Sequence, residues 1–247
     1  MIYKIQSFVE SFPIIAKPLK WIKHRIYWRY LRKKMQNSIK VNGKIFLGDI
    51  QKVFDELNID FWLEFGTLLG AIREKNFIGH DIDIDIGVYL QDYDSKNEKV
   101  FNKYGFIKIN DIEIDDGKYG RFETYKKDGI GVDIFYFRKD NDKMICHNFL
   151  SYEDLGKRKT IEKFGGLLIS ELTFTDTGFK KIEFLGLEVL VPKDTHLHLS
   201  QTYGDDYMIP NPNFTEYDNL NLKILPLPKV GKVKKYKSIQ YIEDEVG

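Results

Sequence analysis

Residues 61–88 read FWLEFGTLLGAIREKNFIGHDIDIDIGV. Near the end of this stretch Asp81, Asp83 and Asp85 alternate with Ile82, Ile84 and Ile86. On a strand, successive side chains face opposite ways. The pattern therefore predicts three carboxylates along one face, each roughly 7 Å from the next, with three isoleucines in a core behind them. Carboxylates held that close raise one another's pKa and repel unless something neutralises them. A divalent cation, Mg²⁺ or Mn²⁺, meets that need, because it takes hard oxygen ligands and Mg²⁺ keeps positions for substrate phosphate. Two plainer readings compete. A solvated acidic sheet edge would discourage aggregation. An EF-hand loop also opens D-x-D-x-D, but its sixth position should be Gly and is Ile86, and its twelfth should be Glu and is Asp92.

Upstream, the apolar run 61–65 predicts a strand that enters a turn at Gly66-Thr67-Leu68-Leu69-Gly70. The segment after Gly66 can open a helix, and the free N–H groups of a helix N-terminus bind anions. Two glycines around an apolar turn are usually a packing device. Ahead of a carboxylate strand they predict a phosphate cradle beside a metal site. A third element is Gly131-Val132-Asp133-Ile134-Phe135-Tyr136-Phe137, a strand whose single charge is Asp133. A buried Asp needs a partner. Either a neighbouring backbone N–H holds it, or it joins Asp83 and Asp85 from an adjacent strand.

Together these motifs resemble the LicD/fukutin-related phosphotransferases. Leu190-Val191-Pro192-Lys193-Asp194 before a short helix, Tyr203-Gly204-Asp205-Asp206-Tyr207 and Pro210-Asn211-Pro212 are similar to that family's C-terminal signature. The likeness covers roughly residues 46 to 215. One departure is Gly79-His80, where family members usually carry Pro-Trp before the first Asp. The residue pattern predicts an α+β fold, with a mixed sheet, flanking helices and a C-terminal helical element, and the resemblance implies that it is nucleotidyltransferase-like. It implies metal ligands at Asp83, Asp85 and Asp133, with Asp81 close by. It further implies a CDP-activated alcohol donor (CDP-choline, CDP-glycerol or CDP-ribitol) and a sugar hydroxyl of a surface glycan as acceptor. In that frame Gly66 and Thr67 would hold phosphate through their N–H groups. Arg73 and Arg121 are the candidate clamps, since guanidinium suits bidentate contact, with a solvated surface role as the other reading of Arg121. Asp81 or Asp133 would take the acceptor's proton. A D-x-D glycosyltransferase using a nucleotide-sugar, or a non-catalytic nucleotide-binding module, are the alternatives.

Composition fits an enzyme domain. The 247 residues suffice for one substantial core. Net charge of +1 with 30% charged residues argues against a bulk polyanion, so no nucleic-acid partner is expected. The single cysteine, Cys146, sits in an apolar stretch and excludes an internal disulfide framework. His80 is a base candidate. His196 and His198, two apart on a predicted helix, face apart and make poor joint metal ligands.

Three regions are expected: a basic, aromatic N-terminal helical segment (1–42), the catalytic domain (43–227) and a mobile charged tail (228–247). Within residues 17–36 basic side chains alternate with Trp21, Trp28 and Tyr30, which suits peripheral contact with an anionic membrane. Packing against the catalytic domain is the other reading of that segment. Without a signal-peptide pattern in residues 1–20, the expected location is cytoplasmic, at the inner face of the membrane.

Overall fold

In the computed structural model, residues 13–152, 155–215 and 218–236 are described. The described residues open with a 45-residue helix α1 (Pro13–Leu57) and continue through β1 (Phe61–Leu63), α2 (Phe65–Arg73), β2 (Asp83–Tyr89), α3 (Asn97–Lys103), β3 (Ile107–Ile114), β4 (Gly120–Lys127) and β5 (Ile130–Asp140). It then forms β6 (Lys143–Leu150), α4 (Gly156–Phe164), β7 (Leu167–Thr175), β8 (Phe179–Phe184), β9 (Leu187–Pro192), α5 (Thr195–Tyr203), β10 (Leu222–Ile224) and β11 (Val230–Tyr236). The architecture is α+β, with one large mixed sheet.

Strand β5 is the pivot. Its first half pairs in parallel with β2 and antiparallel with β4, and its far end pairs with β6. β6 pairs with β7, β7 with β11, β11 with β3 and β3 with β4. These pairings close a six-stranded antiparallel circuit. Beyond β2 the sheet continues open through β1, β9 and β8.

Two cores follow from strand alternation. Ile84, Ile86, Val88, Val132, Ile134 and Tyr136 point to the helix-covered side, where they meet Phe46, Leu47, Ile50, Val53 and Phe54 of α1. Each such side chain contributes about 1.5–3 kcal/mol on burial. Phe122, Phe135, Phe137, Met144, Cys146, Phe149 and Leu172 form the second core, within the closed circuit. Cys146 is thus a packed thiol, and burial pushes its pKa well up. Asp83, Asp85 and Asp133 alternate with residues of the first core, so they stand on the opposite face of the sheet.

The expected boundaries move in two places. The helix crosses position 42 unbroken, so residues 13–42 of the basic segment and residues 43–57 are one element. The expected mobile tail contains β11, which pairs with both β3 and β7. Its lysines are anchored from outside: Lys234 Nζ lies 2.6 Å from the buried Glu113 carboxylate. Residues 237–247 fall outside the described residues, as do residues 1–12.

Candidate active site

The turn that opens the site is held from below. Glu64 is fully buried. Its carboxylate accepts hydrogen bonds from Trp62 Nε1 at 2.7 Å, from the Phe65 N–H at 3.3 Å and from His198 Nε2 at 3.0 Å. The Phe65 bond caps α2. Phe65 itself takes a positive φ of 41°, a left-handed conformation costly for an aromatic residue. It is clamped by ring contacts with Phe135 at 4.6 Å and Phe174 at 6.2 Å. With Leu68 N–H bonded back to Glu64 O, Gly66 and Thr67 present the amides of the helix N-terminus. The Thr67 side chain does other work: its hydroxyl oxygen accepts the Asp85 N–H at 2.8 Å and ties the turn to β2.

The carboxylates converge over this turn. A Cβ on Gly66 would lie 3.3 Å from Asp85 Oδ2 and 3.5 Å from Asp81 Oδ2, so only glycine leaves that space open. Strand β2 starts at Asp83, and Asp81 approaches from the preceding loop with its N–H on Ile78 O at 3.0 Å. Asp85 pairs with Asp133 across the parallel β2–β5 ladder, and Asp133 with Thr124 across β5–β4. Burial, then the Asp83 charge, raises Asp81 and Asp133 to about 7. Burial also raises Asp83, and burial with three carboxylate neighbours raises Asp85 further.

All four line a cavity of about 900 Å³, together with Gly66, Arg73, His80, Lys126 and Lys157. Arg73 Nη1 donates to Tyr207 O at 3.2 Å and Nη2 meets Glu74 at 2.9 Å, while its buried Nε has no partner among the described residues. The charge of Lys157 acts on Asp133 and that of Arg32 on Asp83.

Arg121 corrects the sequence-based expectation. It lies on the other face of β4, buried, paired with Asp111 and Glu113 and covered by the Tyr93 ring at 3.8 Å. Strand parity decides this: Thr124 faces Asp133, so Arg121 cannot. Lys126, five positions on, lies on the cavity side instead. His196 contacts the Tyr207 hydroxyl at 3.3 Å, apart from His198, as their spacing requires.

Sequence reasoning overlooked Glu64, Arg32 and Lys157. Glu64 carried a usable signal: like Asp133, it is the one charge in an apolar run. The two cations reach the site only through packing.

The donor set suits a hard divalent ion. The carboxylates repel one another, and Asp81 Oδ2 is buried with no partner among the described residues. Among the described residues no group of three or more His, Cys, Asp or Glu side chains is placed to hold an ion. Mg²⁺ is commonly held by one or two carboxylates with water and substrate oxygens, so an open set fits it.

The sequence model described as LicD/FKTN/FKRP, nucleotidyltransferase domain, matches residues 58–194. Ribitol-5-phosphate transferase FKTN of Homo sapiens is 30% identical over 174 residues, covering 70% of this chain and 34% of that protein. Ribitol 5-phosphate transferase FKRP of Homo sapiens is 28% identical over 107 residues, 40% of this chain and 21% of that protein. Uncharacterized protein RP689 of Rickettsia prowazekii (strain Madrid E) is 34% identical over 192 residues, 72% of this chain and 63% of that protein. The chain thus spans about a third of the length of the FKTN proteins it matches.

Proposed function

Because this chain belongs to the LicD/FKTN/FKRP nucleotidyltransferase-domain family, we propose that it transfers a phospho-alcohol from a CDP-activated donor to a glycan hydroxyl. Ribitol phosphate, glycerol phosphate and phosphocholine are the candidate groups. The observation that carries this reading is the convergence of Asp81, Asp83, Asp85 and Asp133 over the Gly66 turn at a helix N-terminus.

Asp83, Asp85 and Asp133 are the carboxylates from which Mg²⁺ or Mn²⁺ would draw one or two ligands, with substrate oxygens and water supplying the rest. When bound, the ion supplies charge neutralisation for the pyrophosphate and the leaving phosphate. The chain supplies the rest. The Gly66 and Thr67 amides grip phosphate oxygens. Arg73, Lys126 and Lys157 face the same cavity and offset the donor's negative charge. Asp81, outside the proposed ligand set, has a carboxylate oxygen free to take the acceptor's proton. The acceptor oxygen then bonds to the phosphorus next to the alcohol, the bond to CMP breaks, and CMP leaves with the electron pair.

Phosphorus NMR of the product, with identification of the released nucleotide, tests the reading. A new phosphodiester and free CMP are expected. Release of a nucleoside diphosphate with no phosphorus on the acceptor would establish glycosyl transfer instead.

We further propose that α1 rests on an anionic bilayer at the inner membrane face. Opposite the face that packs on the sheet, Ile26, Tyr30, Val41 and Ile45 are 64–74% exposed, and Lys33, Lys34 and Lys44 flank them. Among the described residues no helix is long and apolar enough to cross a membrane. Sedimentation with liposomes of anionic and neutral composition at low salt tests this. Equal, negligible binding to both would make α1 a packing element only.

A further inference from the structure

The carboxylates occupy one side of the cavity, and a second group of residues occupies the other. Asp85, Asp133, Thr124 and Asn110 form a single row across β2, β5, β4 and β3. An irregularity in β3 between Lys108 and Asn110 puts Asn110 in register with Thr124. Two strand spacings place Asn110 about 10 Å from Asp133 at Cα.

The next row on the same face is Phe135, Phe122 and Ile112. Phe122 lies 5.1 Å from the Phe135 ring and 6.3 Å from that of Phe149. Phe149 packs closely against β11 at Gly231, where a Cβ would come within 2.2 Å of the ring. Ile112, Phe122 and Phe149 all line the cavity beside Asn110. They make an apolar, largely aromatic floor.

Asn110 Nδ2 donates to Thr124 Oγ1 at 3.1 Å. The amide oxygen is left over. Asn110 Oδ1 is buried and has no partner among the described residues. Buried acceptors are nearly always satisfied, so an unmatched one in a cavity marks a place for a ligand's donor.

We propose that this floor seats the planar base of the nucleotide donor and that Asn110 Oδ1 accepts from an exocyclic amino group on that base. The site then takes amino-bearing bases, cytosine or adenine, over keto bases such as uracil. The assignment rests on the phosphotransferase reading for where the phosphates lie. Asn110 is the specificity-determining residue, two strands away from the reacting phosphorus.

Calorimetric titration of the full chain with CMP, AMP, UMP and inorganic pyrophosphate, each with Mg²⁺, tests it. CMP or AMP is expected to bind at least tenfold more tightly than UMP. The comparison of CMP with AMP tells which base fits the floor. Asn110→Leu should erase the preference over UMP and leave pyrophosphate affinity unchanged. Saturation-transfer NMR on the wild-type chain needs no variant: the base protons of the tighter-binding nucleotide should receive more saturation than its ribose protons. Equal affinity for all three nucleotides, ribose-dominated transfer, or a preference that survives in Asn110→Leu would overturn the base assignment. If pyrophosphate still binds in those cases, the phosphotransferase reading stands without it. If neither pyrophosphate nor any nucleotide binds, both fall.

Discussion

Replacing Glu64 with Ala should cost the protein about 5 kcal/mol. The figure comes from the three groups that its carboxylate serves. Trp62 Nε1 and His198 Nε2 are both buried donors, and each stranded donor costs about 1–3 kcal/mol. The Phe65 N–H loses its side-chain cap, worth about 1 kcal/mol. A domain of ordinary stability holds about 5–15 kcal/mol, so the variant should fold but with little reserve. Glu64→Gln separates the contributions. Its amide oxygen can still accept from Trp62, but its NH₂ then meets the His198 and Phe65 donors. His198 can relieve the clash by moving its proton to Nδ1, which is buried without a partner. The smaller loss, roughly 1–2 kcal/mol, is that mismatch. Urea denaturation at unchanged m-value measures both, and a melting temperature lower by roughly 10 °C should accompany the Ala variant. A Glu64→Ala loss below about 1 kcal/mol, or a Gln variant as damaged as the Ala variant, would refute the reasoning.

Asp83→Asn and Asp85→Asn should each abolish metal-dependent turnover while the chain stays folded, since like-charge repulsion drops; full activity in EDTA, or in either variant, would remove the metal site. Arg121→Leu should destabilise by about 3–5 kcal/mol, because Asp111 and Glu113 lose their buried cation. Its folded fraction should nevertheless bind pyrophosphate as the wild type does, and a selective loss of that binding would restore Arg121 to the site. Burial pushes the His147 pKa down to about 4. In the unfolded chain its pKa is about 6.5, so between those values the unfolded state takes up a proton that the native state refuses. Stability should therefore fall as pH drops from 6.5 towards 4. Glu171 adds to the fall: burial would raise its pKa, but the Tyr119 hydroxyl and His147 outweigh that and hold it low. His147→Gln should flatten the upper part of the curve, and melting temperatures at pH 7 and 4.5 would show whether it does.

Local chemistry made much of the site legible in the sequence. Period-two alternation through Asp81–Ile86 assigns faces without any tertiary knowledge, because a strand reverses its side chains at every residue. The single charge in Gly131–Phe137 picks out Asp133 for the same reason, and the glycine after an apolar run marks where a strand turns into a helix. Pairing between distant strands is a different matter. The sequence could not show that β11, with its Lys-rich alternation, closes a circuit with β3 and β7, because its partners lie more than 50 residues away and Glu113 neutralises it only after folding. Arg121 had the right chemistry but the wrong face, which only the β4–β5 register fixes. The same register aligns Asn110, Thr124 and Asp133, and packing alone brings Arg32 and Lys157 to bear on the carboxylates. The residue types that could do the chemistry were set locally; which of them share a face, and which are spent holding the fold, was decided by the tertiary pairing of strands.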